Sequence, residues 1–238
     1  MKRITDKRKL REHRGTGTEA DYKPWIQARE MSSIGTESVF NDWKHGRPIQ
    51  CLSQGEARVY HILRWRDDVL DIREQFPLDL DYTVAIAKKL GLPHPHSRNT
   101  HMTTDFLVTY KNPNGTNFLK AYSVKPNIAS FTNYALKNFK IEQTYWGTKG
   151  VHIEIIFSDD INKIFAYNIK QCVQYYNIKT VQSKTDLIKH LIGRKIIQPD
   201  METNYLNFPV LAAQYLDNPN QTQIILDQYK KTNERNSL

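Results

Sequence analysis

The strongest constraint on this chain is a pair of strand-like runs joined by Asn112-Pro113-Asn114-Gly115. Asn, Pro and Gly supply the fixed or positive backbone angles that a tight reversal needs. The run Thr104 to Tyr110 enters the turn, Phe118 to Lys125 leaves it, and Pro126 closes the second strand. A hairpin sets the start of its first strand beside the end of its second, so Asp105 and Lys125 fall at one end. Alternation puts Ser123 and Lys125 on one face and Val124 on the other.

The flanking pattern is that of an α/β protein. Ser53 and Glu56 have the S-x-x-E spacing of a capping box, and Ala57, Tyr60, His61, Leu63 and Arg64 follow at helical spacing, predicting a helix from Ser53 to near Trp65. Val69 to Phe76 alternates, with Leu70, Ile72, Glu74 and Phe76 on one side and Asp71, Arg73 and Gln75 on the other; it reads as a strand stopped by Pro77. A short helix over 82–90 ends at Gly91, and a loop with Pro93 and Pro95 follows. A helix over 131–146 is expected to carry Ala135, Phe139, Glu142 and Trp146 on one side. Val151 to Phe157 reads as a buried strand. Residues 23–52 hold several aromatic and aliphatic side chains without a period, so irregular structure is expected there. Beyond Ser158 the pattern changes to short helices over 160–176, 183–193, 207–216 and 221–231. The expected organisation is a basic arm (1–22), a catalytic domain (23–160) and a small helical domain (161–238), with winged-helix as the specific expectation for the last.

Net charge narrows the partners. The chain carries 34 Lys and Arg against 25 acids, a formal charge of +9, and seven of the bases lie in the first fourteen residues. Such a surface draws polyanions irrespective of sequence, and the arm reads either as a solvated tail or as a segment lying along phosphates. No apolar run approaches the roughly 18 residues of a membrane span, and the N-terminus has no apolar stretch of the secretory kind. Cys51 and Cys172 form no ligand cluster and read as buried thiols of a reducing cytoplasm. His94, His96 and His101 fit no common zinc spacing, and no phosphate-binding loop of the G-x-x-x-x-G-K-[ST] type is present.

Phosphodiester hydrolysis needs a divalent ion and a cation near the developing charge. An acid on a helix, an acid on a strand and a lysine on the partner strand form one common solution. Glu56, Asp105 and Lys125 occur in that order. Each also has an ordinary structural reading: Glu56 as the acid of its capping box, Asp105 as a polar strand edge beside Thr103 and Thr104, Lys125 as a surface lysine at a strand end.

Four segments taken together resemble one family: Leu52-Ser53-Gln54-Gly55-Glu56, Leu70-Asp71-Ile72-Arg73-Glu74-Gln75-Phe76-Pro77-Leu78, His101-Met102-Thr103-Thr104-Asp105-Phe106-Leu107-Val108 and Ser123-Val124-Lys125-Pro126. In order and spacing they are similar to the TnsA endonuclease subunits of heteromeric transposases, over roughly residues 20 to 160. The resemblance implies a restriction-endonuclease-like core, a mixed sheet flanked by helices, with Glu56, Asp105 and Lys125 as the catalytic acid, acid and lysine. It implies Mg²⁺ (with Mn²⁺ as a substitute) held by Glu56, Asp105, the Val124 carbonyl and, more weakly, Glu142. Ser123 departs from the Gln usual two residues before the lysine, which leaves the number of ions open.

The function so implied is hydrolysis of the 5′-side strand at transposon ends. The partners are DNA, a DDE-type TnsB-like transposase and an AAA+ TnsC-like regulator, with no membrane. Two other readings share the residues: an autonomous restriction-type or junction-resolving nuclease, and a non-catalytic DNA-binding module with a degenerate nuclease core.

Overall fold

The computed structural model describes residues 4–30, 38–95, 100–177 and 180–235. The chain divides into two compact units, Met1–Ile161 and Asn162–Leu238.

In chain order the first unit holds α1 (Asp6–Arg11), β1 (Ser38–Asp42), β2 (Arg47–Cys51), α2 (Gln54–Trp65), β3 (Val69–Pro77), α3 (Leu80–Lys89), β4 (Thr103–Lys111), β5 (Asn117–Lys125), α4 (Asn133–Thr148) and β6 (His152–Phe157). Its main sheet is four-stranded in the order β3-β4-β5-β6. The first three strands run antiparallel, and β6 lies parallel to β5 after the crossover through α4. The hairpin forms as its turn requires, from Phe106 opposite Tyr122 to Lys111 opposite Asn117, with Gly115 at φ +85°. Both faces of β4 are covered. Phe106 and Val108 join Val59, Tyr60 and Leu63 of α2 in one core, while Leu107 joins Ile86 of α3 and Ile141 and Trp146 of α4 in the other. That double burial explains the nearly continuous apolar run of this central strand.

Helix α2 begins where its cap predicts. Ser53 Oγ accepts the Glu56 amide at 3.1 Å, and Glu56 Oε2 reaches back to the Leu52 amide at 2.9 Å. Gly55 matters for where this helix sits. A Cβ there would lie 2.6 Å from Ser158 Oγ, so only glycine lets the first turn of α2 approach the end of β6 this closely.

Several expectations are corrected. Within 23–52, where irregular structure was expected, β1 and β2 pair as an antiparallel hairpin; residues 31–37 lie outside the described residues. Its turn is held by Asp42, whose carboxylate accepts the Lys44 amide and a His45 ring nitrogen at 2.8 Å each, with Gly46 at φ +65°. Side-chain fastening of that kind leaves no periodicity to read. Strand β6 is an edge strand rather than a buried one: of its residues only Ile153 is buried, and His152 and Glu154 are exposed. The basic N-terminal segment is folded onto the first unit from residue 4 onward. Thr5 caps α1, Asp6 Oδ2 accepts the amide of His101 at 2.9 Å, and buried Arg14 pairs with Glu12 and Glu30 at 2.7 and 2.6 Å.

The second unit consists of α5 (Lys163–Val173), α6 (Lys184–Gly193), α7 (Phe208–Leu216) and α8 (Pro219–Arg235). Ser183 caps α6 and Asn207 caps α7. A wing needs a β-hairpin, and no strand occurs among the described residues of this unit. The connection before α7 is instead fastened by buried Asn168, whose amide donates to the carbonyls of Met201 and Asn204 and whose oxygen accepts the Leu206 amide. No helix among the described residues is long and apolar enough to cross a membrane.

Candidate active site

The site lies where the sheet forks. The register of β4 with β5 ends at Phe106 and Tyr122, yet β4 continues alongside β3 to Thr103 and β5 continues alongside β6 to Lys125. Past that point the Val124 amide turns from the ladder to a side chain, donating to Asp105 Oδ2 at 2.6 Å. An acid at this position fixes the fork and is fixed by it.

The three residues singled out in the sequence converge here. Lys125 Nζ lies 3.8 Å from Asp105 Oδ2 and donates to Ser123 Oγ at 3.0 Å and to the Val124 carbonyl at 3.1 Å. Alternation along β5 thus delivers Ser123 and Lys125 to the same side. Glu56, from the first turn of α2, is buried and accepts from the Leu52 amide, from Ser53 Oγ at 3.1 Å and from Gln75 Nε2 at 3.2 Å. Its carboxylate is therefore held in one orientation rather than left to the solvent. Glu142 of α4 is also buried and accepts from Thr104 Oγ1 at 2.7 Å; Thr104 in turn accepts from the Trp146 indole at 2.8 Å.

Gln75 was not singled out by sequence reasoning as a site residue. It sits at φ +49°, and its amide donates to Glu56 at 3.2 Å and pulls the Asp105 carboxyl down. Thr103 Oγ1 donates to the Gln75 carbonyl oxygen at 3.2 Å and orients the amide. The signal was present in the Ile72-Arg73-Glu74-Gln75-Phe76-Pro77 segment of the resemblance, but alternation alone gave Gln75 no role.

Electrostatically the site is short of positive charge. Burial first, and then the Asp105 charge, push the Glu56 carboxyl up to about 7. Burial raises Asp105 as well, against the pull of Lys125, the Val124 amide and Gln75. Burial and the Asp105 charge lift Glu142 to about 8. The pull of Lys125 on Asp105 and Glu142 does not outweigh burial, so all three carboxyls are shifted toward their neutral forms.

A cleft of about 270 Å³ opens onto Asp105, Ser123, Lys125 and Glu142. Its donors are carboxylate, carbonyl and hydroxyl oxygens, the hard ligands that suit Mg²⁺. Among the described residues no three His, Cys, Asp or Glu side chains form a cage able to hold a metal by themselves. Mg²⁺ does not ask for one, since it keeps several waters and takes only one or two carboxylates. The donor set thus fits that ion. Of the loop histidines, His94 contacts Thr83 Oγ1 at 3.1 Å and His101, on the cleft wall, contacts Asp6 at 2.8 Å, while His96 lies outside the described residues. Both cysteines are buried thiols, and burial pushes Cys172 up to about 12.

A model of the TnsA-like endonuclease N-terminal region matches residues 66–158, the stretch that holds the strand fork with Asp105 and Lys125. The transposition protein TnsA of transposon Tn7 from Escherichia coli is 34% identical over 203 residues, covering 84% of this chain and 72% of that protein. The chain belongs to the TnsA-like endonuclease family.

Proposed function

We propose that Glu56, Asp105 and Lys125 form the hydrolytic site of a Mg²⁺-dependent endodeoxyribonuclease with a restriction-endonuclease-like core. Its task is to cut the 5′-side strand at transposon ends during cut-and-paste transposition, in the cytoplasm, beside a TnsB-like transposase and a TnsC-like regulator. The observation that carries this reading is the fork itself, where the Val124 amide donates to Asp105 Oδ2 at 2.6 Å, Lys125 Nζ lies 3.8 Å from the same oxygen, and Gln75 holds buried Glu56 at 3.2 Å. The catalytic domain corresponds to 23–160, and the helices of 161–238 supply partner or DNA contacts.

Asp105, Glu56 and the Val124 carbonyl would hold the ion, with Glu142 as an outer contributor through Thr104. The ion's part is to polarise the phosphate and to lower the pKa of a bound water. The protein's own part is positional. The Val124 amide fixes the Asp105 carboxylate, and Gln75 and Leu52 fix Glu56, so neither acid reorganises when substrate arrives. Lys125 donates to Ser123 and Val124 in the resting site. With DNA bound, its ammonium turns to the scissile phosphate, orients the attacking water and offsets the charge growing on the phosphate oxygens.

The test is strand-specific cleavage of end-labelled DNA by the full chain, with and without the transposase partners, across a Mg²⁺ titration. Asp105→Ala and Lys125→Ala should abolish 5′-strand nicking while 3′ joining persists, giving cointegrates in place of simple insertions. Unchanged 5′ cleavage by the Asp105→Ala assembly contradicts the assignment. Robust cutting by the chain alone favours the autonomous nuclease, and full function in Lys125→Ala favours the binding module.

A further inference from the structure

The wall of the cleft holds a paired histidine that the hydrolytic set does not use. His101 lines the cleft together with Trp25, Thr103, Asp105 and Lys125. Asp6 Oδ2, on α1, accepts from the His101 amide at 2.9 Å and contacts ring Nδ1 at 2.8 Å. A carboxylate can only accept, so Nδ1 carries a proton, and Nε2 is left to meet a ligand. The ring packs against Trp25 with centroids 4.5 Å apart, and buried Trp25 is itself tied down by its amide, which donates to the Gln75 carbonyl at 3.2 Å. The imidazole is therefore fixed at one nitrogen and by one neighbouring ring.

A histidine that only holds a fold together looks different in this molecule. Behind α2, His45 spends both ring nitrogens inside the protein, on Asp42 at 2.8 Å and on the Ile72 amide at 3.1 Å. Among the described residues His101 has a hydrogen-bond partner at Nδ1 alone. Its place along the chain sets what it can reach. The Leu78 amide donates to the Met102 carbonyl at 2.8 Å, so the approach to β4 is tied to the end of β3. Asp105 stands four residues after His101, at most about 14 Å of extended chain. A DNA strand advances roughly 3.4 Å per nucleotide along its axis. A strand whose scissile phosphate meets Asp105 and Lys125 can thus set another phosphate, within about four nucleotides, at His101. Phosphate oxygens accept, and with Nδ1 spent on Asp6 the donor is Nε2–H, so the bound ring is an imidazolium between two anions.

We propose that His101, oriented by Asp6, binds through Nε2 a phosphate of the cut strand that flanks the scissile one. The proposal rests on the nuclease reading of the cleft. His101 is then a substrate-binding residue and Asp6 its positioning residue.

The test measures binding of the full chain, in EDTA at low salt, to duplexes in which one phosphate at a time along the cut strand is a neutral methylphosphonate. In the wild-type chain one position near the cut should weaken binding about tenfold. Two variants separate the contact from the tie to α1. His101→Asn keeps a donor where Nδ1 stands but does not reach as far as Nε2. Binding to unmodified DNA should fall about tenfold, and the methylphosphonate at that position should cost nothing more. His101→Gln sets an amide where Nε2 stands and gives up the bond to Asp6, so the position should stay sensitive in part. A purely structural histidine predicts the reverse, with Asn like the wild type and Gln impaired. An unchanged profile in folded His101→Asn, or a flat profile in the wild type, overturns the contact even where Asp105→Asn abolishes cleavage. Loss of the sensitive position in His101→Asn, in a chain that cuts nothing with Mg²⁺, leaves the phosphate contact standing and removes the nuclease reading.

Discussion

Two groups of buried charge lie in the first unit, and they are treated in opposite ways. Behind α2, Asp42 accepts from the Lys44 amide, His45, the Tyr60 hydroxyl at 2.9 Å and Arg64 Nε at 3.0 Å. Burial pushes its carboxyl up, but His45, Arg64 and Tyr60 outweigh burial and hold it far below the usual carboxylate range. Nearby, Arg47 grips Glu74 with two bonds of 2.8 Å. At the sheet fork, Glu56, Asp105 and Glu142 are all raised, with Lys125 Nζ 3.8 Å from Asp105. In the first group each acid is met by donors and a cation, and the group holds the fold together. In the second the carboxyls are left raised, and on the proposed reading that deficit is what a cation and a phosphate would fill.

That contrast can be broken by substitution. The largest effect is expected for Asp105→Asn: cleavage falls by about 10³-fold or more, roughly 4 kcal/mol of barrier, while the melting temperature holds or rises because a repelling charge is gone. Strand cleavage and thermal unfolding on one preparation check both halves. Asp42→Ala should do the reverse. Removing it strands Arg64 and His45 and costs about 3–4 kcal/mol of stability in denaturant unfolding, with activity falling only as the folded fraction falls.

Acidity gives a third handle. Glu56 and Glu142 keep protons in the folded protein at pH values where the unfolded chain has lost them, so folding is favoured on the acid side of their raised values. Without divalent ion, stability should drop by on the order of 2–3 kcal/mol as pH rises from about 5 to about 8. Mg²⁺ should flatten that loss; an equally steep profile with Mg²⁺ present would place the deficit outside the cation site. The smallest change is expected for Gln75→Ala, which removes the amide between the two acids: about a tenfold fall in cleavage with little change in stability, read as kcat against KM.

Much of this site is legible in the sequence because it is built on regular elements. The turn at Asn112–Gly115 sets the hairpin, the hairpin sets Asp105 and Lys125 at one end, and the Ser53 cap sets Glu56 one turn into α2. What escapes is irregular. The register slips between Val69 and Asp71, and Gln75 takes a left-handed backbone, so a period-two reading of β3 cannot say where that side chain points. The β1–β2 hairpin escapes for a related reason, because hydrogen bonds to the Asp42 side chain rather than alternation hold its turn. The docking of the N-terminal helix α1 escapes entirely. It depends on Asp6 reaching His101 across 95 positions of sequence, and no local pattern encodes that contact.

The most direct measurement is calorimetric titration of Mg²⁺ into the full chain near pH 7, in two buffers that differ in ionisation enthalpy. If the fork is a cation site kept neutral by protons, binding should release on the order of one proton, and Asp105→Asn should lose both the binding and the release. Binding of equal strength and equal proton release in Asp105→Asn, or no uptake by the wild-type chain with or without DNA, would contradict it.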